Sequence, residues 1–340
     1  MKKLYAILIL LLFQGLIWGA EIIPLTELIS PDSITVDKGQ VYITDRANIL
    51  IYSIKDFKLK KKFGRAGEGP KEFKVHPGAV KKLDVTVTPG YLLVNSQGRI
   101  SYFSKSGEYI KERNIGFRST LKPVGKNFVG YSQDTGADKT LYLTINLYGP
   151  DIKFVKEIYR KEYYVQPTKK FNRISLGMGN KGRAVYDVHG DRIFVQGEKD
   201  DIHVFDKEGR KQLVINLDYK KMQMSESHKK TIMADLHTLF TGDFMRNLIK
   251  KSGYFPEYFP ARAFVVADNK IYIPTYKKKA GKNEFVVYDT AGKLLAKTFL
   301  PFKDQTLLMP YPWTVSSSKV YQLFDNEESE EWELHVSEIN

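Results

Sequence analysis

Val36-Asp37-Lys38-Gly39-Gln40-Val41-Tyr42 is a hairpin written in seven residues: a valine, a turn carrying glycine, and six positions after the valine an aromatic flanked by Val and Ile. The spacing recurs from Val188 to Phe194, Val266 to Tyr272 and Val315 to Tyr321, with weaker copies from Val85 to Tyr91 and around Val124 to Phe128. Repetition of one supersecondary unit implies a repeat architecture, because each copy buries its apolar face only against its neighbours. A second element follows the first, an apolar strand that closes on an aromatic and runs into a tight turn. It reads Ile51-Tyr52-Ser53, Tyr102-Phe103-Ser104-Lys105-Ser106-Gly107, Leu147-Tyr148-Gly149, Val204-Phe205-Asp206-Lys207-Glu208-Gly209 and Val287-Tyr288-Asp289-Thr290-Ala291-Gly292. Asp or Ser followed three residues on by Gly is turn chemistry, with Gly taking the positive φ that β-branched residues resist.

Each unit therefore reads as four short antiparallel strands, a to d, over about forty-five residues. The units fall near 33–63, 82–114, 119–159, 184–217, 262–299 and 312–339. The last has three strands, and a spare strand at Ile22–Leu28 supplies its missing outer one, which closes the ring and removes sheet edges. The expected fold is all-β: a closed six-bladed β-propeller of four-stranded antiparallel blades, with one helical insertion between blades 4 and 5.

The stretch Val41-Tyr42-Ile43-Thr44-Asp45-Arg46-Ala47-Asn48, then Ile51-Tyr52, then Phe63-Gly64-Arg65-Ala66-Gly67-Glu68-Gly69-Pro70-Lys71-Glu72-Phe73, resembles an NHL-type repeat. It is closer still to the exported bacterial six-bladed β-propeller proteins with a Gly-x-x-Gly-x-Gly-Pro-Gly-Glu-Phe loop after the first blade. Ile49 and Lys71 depart from the pattern, standing where Arg and Gly are usual. The resemblance implies a propeller and leaves activity open, since NHL-type propellers serve both as binding scaffolds and as enzymes.

Composition sets the compartment. Lys2 and Lys3 precede an apolar run from Leu4 to Trp18, and Gly19 and Ala20 follow, which is the anatomy of a secretory signal peptide over residues 1–20. The run is shorter than the roughly twenty residues a bilayer needs, so cleavage near Ala20 is favoured over retention as an anchor. The mature body, 21–340, is then expected outside the cytoplasm, in the periplasm, the cell envelope or the medium, as a monomer with no membrane span. There is no cysteine, which excludes disulfides, a thiol nucleophile and thiolate metal sites. The formal charge is +14, or +12 without Lys2 and Lys3. That suits an anionic partner such as an acidic glycan, a peptide or an envelope protein, and serves solubility equally; no nucleic acid is expected. Lysines 58, 60, 61 and 62, and 277 to 279, read as solvated edges that discourage strand pairing.

The four long connections, 64–81, 160–183, 218–261 and 301–310, all run from strand d of one blade to strand a of the next, and therefore belong to one face. Loops concentrated on one face of a rigid scaffold mark its binding side. Connection 218–261 holds the one helical pattern, with Ile232, Leu236, Leu239, Phe240, Phe244 and Leu248 in a stripe, Ser225 as N-cap and Gly253 as stop. It reads as a lid packed on the scaffold, with a partner-binding helix as the alternative. The following Tyr254-Phe255-Pro256-Glu257-Tyr258-Phe259-Pro260 is a staple for that helix or an aromatic platform. Glycines 64, 67 and 69 lack the following helix of a phosphate loop and read as an inter-blade crossing anchored by Glu72 and Phe73.

Candidate ligand-binding residues are Asp45 and Arg46 in the first b-to-c turn, Arg65 in the glycine loop, and Arg183 and Arg262 beside starts of strand a. The competing reading makes Asp45 a turn cap and the arginines packing or solvated residues. None of His76, His189, His203, His228, His237 or His335 is placed on a strand a or pairs at helical spacing, so no metal ligand is assigned. No Gly-x-Ser-x-Gly elbow occurs, and no catalytic residue or cofactor is assigned. Two readings remain: a non-enzymatic binding or scaffold protein using the loop face, and, as alternative, a lyase or hydrolase with channel-mouth carboxylates and a bound Ca²⁺.

Overall fold

In a computed structural model, which describes residues 20–69, 71–75, 83–116, 119–137, 140–165, 175–176, 184–239 and 253–339, the repeat units become six four-stranded antiparallel blades. Blade 1 is β2 (Pro31–Asp37), β3 (Gln40–Asp45), β4 (Asn48–Ser53) and β5 (Leu59–Phe63); blade 2 is β6 (Asp84–Val87), β7 (Leu92–Ser96), β8 (Arg99–Phe103) and β9 (Tyr109–Asn114). Blade 3 is β10 (Lys122–Val124), β11 (Asn127–Thr135), β12 (Thr140–Tyr148) and β13 (Phe154–Val165), its outer strand longer than expected. Blade 4 is β15 (Tyr186–His189), β16 (Arg192–Gln196), β17 (Asp201–Asp206) and β18 (Lys211–Asn216). Blade 5 is β22 (Val265–Ala267), β23 (Lys270–Lys279), β24 (Lys282–Asp289) and β25 (Leu294–Leu300). Blade 6 is β26 (Trp313–Ser316), β27 (Lys319–Asn326) and β28 (Glu331–Glu338), completed on the outside by β1 (Glu21–Pro24).

The N-terminal closure thus forms, with Glu21 opposite Val336 and Pro24 opposite Glu333. β1 is shorter than the sequence suggests: the chain turns at Leu25, whose N–H reaches Trp332 O at 2.7 Å, and buries Leu25 and Leu28 between blades 6 and 1. The first strands line the ring, β2 meeting β6 and β26, and β15 meeting β10 and β22.

The recurrent residues fill the junctions between blades. One apolar cluster lies at each of the six junctions, and Tyr42, Phe194, Tyr272 and Tyr321 each face the following blade at 3% exposure or less. The aromatics closing strand c, Tyr52, Phe103, Phe205 and Tyr288, face the preceding blade. Junctions 6/1, 1/2 and 4/5 therefore receive one aromatic from each side. Burying each ring stabilises by about 2–3 kcal/mol, so these junctions dominate the cohesion of the ring.

Turn chemistry explains the spacing. Lys38-Gly39, Asp268-Asn269 and Ser317-Ser318 all have positive φ at both centres of their a-to-b turns, the geometry whose twist matches antiparallel strands. At the c-to-d turns, Asp206 and Asp289 each accept two backbone N–H groups, and Gly209 and Gly292 take φ of 70° and 93°. A Cβ on Gly209 would stand 2.4 Å from Ile158 of blade 3, so this glycine also lets the neighbouring blade approach.

Two weak copies of the hairpin are corrected. By register, Leu93 opposite Thr86 occupies the place that Tyr42 holds opposite Thr35, while Tyr91 lies in the turn. In blade 3 the corresponding residue is Val129, opposite Lys122, and Phe128 faces blade 2 instead. His189, expected off strand a, is the last residue of β15, where its ring meets Asn269 Oδ1 at 3.1 Å.

Candidate functional site

Antiparallel alternation puts every d-to-a connection on the same face as the b-to-c turns, so the long connections share one face of the ring, here the loop face. Two short sheets organise it: β14 (Ser175–Leu176) with β20 (Gly253–Tyr254), and β19 (Met222–Gln223) with β21 (Glu257–Tyr258). Between them stands α1 (Glu226–Leu239). Ser225 caps it, Oγ accepting the His228 N–H at 3.1 Å, as its place before an apolar stripe suggests. Ile232 and Leu236 pack with Met224, Tyr258, Tyr276, Leu307 and Leu308, which joins the helix to blade 5 and to the last long connection. Tyr254 donates its hydroxyl to Lys229 O at 3.3 Å, and the Tyr258 ring stands edge-on to His228 and Tyr276. The aromatic run therefore pins the helix. The rest of the stripe, Phe240, Phe244 and Leu248, lies outside the described residues.

The candidate side chains divide by burial. Asp45, at 1% exposure, accepts the N–H groups of Ile29 (3.1 Å) and Ser30 (2.6 Å), and so holds the turn leading into β2. Arg46 follows with φ 55°, its side chain exposed. Arg65 shares Glu72 Oε1 through Nε at 2.8 Å while 79% of its side chain stays exposed. Glu72 also takes the Gly69 N–H at 2.8 Å, Phe73 is fully buried, and Arg99 reaches the carbonyls of Glu68 and Gly69. Arg99 is the residue sequence reasoning missed here: an arginine in strand c carries no signal that it will hold the crossing of the preceding blade. Arg262 is 4% exposed, forms a bidentate pair with Asp304, and stacks over Tyr276 with its guanidinium carbon 4.1 Å from the ring centre. It joins the end of one long connection to the last one. Arg183 and His76 lie outside the described residues, as do residues 1–19. Asp45 and Arg262 are thus buried on internal partners, whereas Arg46 and Arg65 are exposed.

A second set of polar groups meets where blades 3, 4 and 5 adjoin the loop face. Lys161 of β13 is 5% exposed, and burial brings its amine down to about 8 against the pull of Glu198, Asp200 and Asp201. Asp200, in the b-to-c turn of blade 4 with φ 60°, is pushed up to about 7 by burial, opposed by a 2.6 Å hydrogen bond from Gln196 Nε2. The second oxygen of Asp200, Gln196 Oε1, Asp201 Oδ1, Tyr219 OH and Asn283 Oδ1 are buried without a hydrogen-bond partner. Such a turn can exchange a proton near neutrality and can receive donors from a ligand. Nothing in the sequence marked it, since Lys161 sits in an ordinary alternating strand.

The inner strands bring carboxylates to a lysine. Lys122 of β10 meets Asp187 of β15 at 2.7 Å; enclosure works against its charge, but Asp187 and then Asp84 outweigh this and raise its pKa. Asp187 also accepts the Val266 N–H of β22 at 2.8 Å, which ties blades 3, 4 and 5 at the axis. Among the described residues no three His, Asp or Glu side chains form a group that could hold a metal ion.

No family model matches the chain, and no curated protein matches it. Solved structures similar to it include a computationally designed protein, Ika8, at 10% identity and a TM-score of 0.41, covering 94% of this chain and 100% of that one. The AfRom2 CNH domain matches at 10% identity and a TM-score of 0.41, covering 94% and 99%. BBS1N, solved in complex with ARL6DN, matches at 13% identity and a TM-score of 0.36, covering 92% and 79%.

Proposed function

We propose that this chain is an exported binding or scaffold protein, akin to the exported bacterial six-bladed propellers, that holds an anionic partner on its loop face. One observation carries the reading: all four long connections, the packed helix and a cationic hairpin share that face. The hairpin is the end of β23 and β24, where Lys277 and Lys279 are exposed beside Lys282, and none of the three meets a carboxylate among the described residues. Arg46 and Arg65 present further cationic groups on the same face, while Asp45 and Arg262 hold the loops in place. An acidic glycan suits this surface, because repeated carboxylates match spread cations and the stacked junctions keep the ring rigid. The protein freed of residues 1–20 is tested for binding to immobilised polygalacturonate, with neutral dextran as control. Binding to the acidic polymer alone is expected, lost steeply between 50 and 300 mM salt on the order of magnitude set by screening, and reduced about tenfold by joint Lys277→Ser, Lys279→Ser and Lys282→Ser. Binding that ignores salt, or survives the triple substitution, removes the proposal.

A further inference from the structure

The opposite face, made by the a-to-b and c-to-d turns, holds a cavity of about 300 Å³ between blades 2 and 3. We infer that it is a binding site for a small organic anion, a phosphate or carboxylate attached to a planar or apolar body. This site is separate from the loop face and does not depend on the function proposed for it.

The cavity lies beside a junction whose register differs from that of the other blades. Where Tyr42, Phe194, Tyr272 and Tyr321 project toward the following blade, blade 2 offers only Leu93, and the displaced aromatic, Tyr91, stands in the turn instead. Tyr91 and Tyr102 lie with ring centres 5.2 Å apart and form an aromatic wall with Phe128, Pro123 and Pro150 around it.

The polar lining has one sign. Lys111 stands opposite Tyr102 on β9 with its amine 4.9 Å above that ring, Arg113 is two residues further on the same side, and Lys126 projects from the a-to-b turn of blade 3. No carboxylate lines the cavity among the described residues. Several other cations on this face are matched: Lys105 pairs with Asp37, Lys207 with Asp191, Arg210 with Asp206 and Lys153 with Asp151. Here, among the described residues, Arg113 meets the Pro150 carbonyl at 3.0 Å and Lys111 the ring beneath it, and neither meets a carboxylate. Three cations converging on a concave aromatic wall repel one another unless an anion is present, and an anion with a flat body gains both charge-assisted hydrogen bonds and ring contact. The volume holds about ten water-sized atoms, which fits a single phosphorylated or carboxylated ring and not a polymer.

The test uses phenyl phosphate as probe on the mature protein, followed by calorimetry and by chemical-shift changes of the tyrosine rings. Phenyl phosphate is expected to bind at least tenfold more tightly than benzyl alcohol or inorganic phosphate. Arg113→Gln with Lys126→Gln is expected to weaken it at least tenfold while circular dichroism and melting stay unchanged, since both side chains are exposed. The loop-face triple lysine variant is expected to bind the probe as the natural protein does. Absence of binding, equal binding of benzyl alcohol or phosphate alone, or an unchanged affinity in the double variant overturns the inference.

Discussion

Asp304→Ala is the substitution that most directly tests how the loop face is held. In the native protein both terminal nitrogens of Arg262 are directed at the Asp304 carboxylate, one of them at 3.1 Å, and only 4% of the arginine side chain is exposed. Its Nε is buried without an acceptor. Removing Asp304 leaves a guanidinium enclosed against Tyr276 with no counter-charge, a loss of about 3–5 kcal/mol. Lys278, also on Asp304 at 3.3 Å, is more than half exposed and returns to water at little cost. An unfolding entropy of about 2.1 cal/mol/K per residue amounts to about 0.7 kcal/mol/K for this chain, so the melting temperature should fall by about 4–7 °C. Calorimetry measures the shift, and hydrogen exchange should locate the loosening in 260–262 and 303–311. Arg262→Met with Asp304→Leu should recover most of the loss, because no charge is left stranded. A fall of less than about 1 °C for Asp304→Ala would show that Arg262 reaches solvent and is free to grip a ligand.

Asp200 holds a proton in the folded state up to about pH 7 that the unfolded chain releases near pH 4, so its contribution to stability is present at low pH and lost as pH rises through that window. Asp200→Asn should therefore be more stable than the natural protein at pH 8, by about 4 kcal/mol, and match it near pH 4; parallel curves across the range would exclude a buried, raised carboxyl. Removal of 21–24 strips the outer strand from blade 6 and leaves the edge of β28 open, which should cost about 3 kcal/mol and promote association visible by size-exclusion chromatography. Gly209→Val places a β-branched residue at φ 70° against Ile158 and should cost about 3 kcal/mol or more in urea unfolding, whereas Gly190→Ala, at φ 59° with open space around it, should cost about 1 kcal/mol.

The sequence by itself determined the architecture. A valine-to-aromatic hairpin and an Asp-to-Gly turn are local chemistry, fixed by strand twist and by the positive φ each turn requires, so the blades and the closing strand near Ile22 were legible without coordinates. The two misplaced copies show the limit. Tyr91 stands six residues after a valine and Phe128 only four, yet a longer turn in blade 2 and a shifted phase in blade 3 put Leu93 and Val129 at the junctions, because register depends on pairing across the sheet. The residues expected at a site were chosen for type and turn position. What each meets depends on segments far along the chain: Asp45 on Ile29 and Ser30, Arg262 on Asp304. Lys161 beside Asp200, and Lys126 beside the wall of Tyr91 and Tyr102, are likewise products of blades packed side by side. Local turn and strand chemistry repeats and can be read in one dimension. Burial and charge at a junction come from residues the chain brings together only when the ring closes, and those the tertiary structure alone decided.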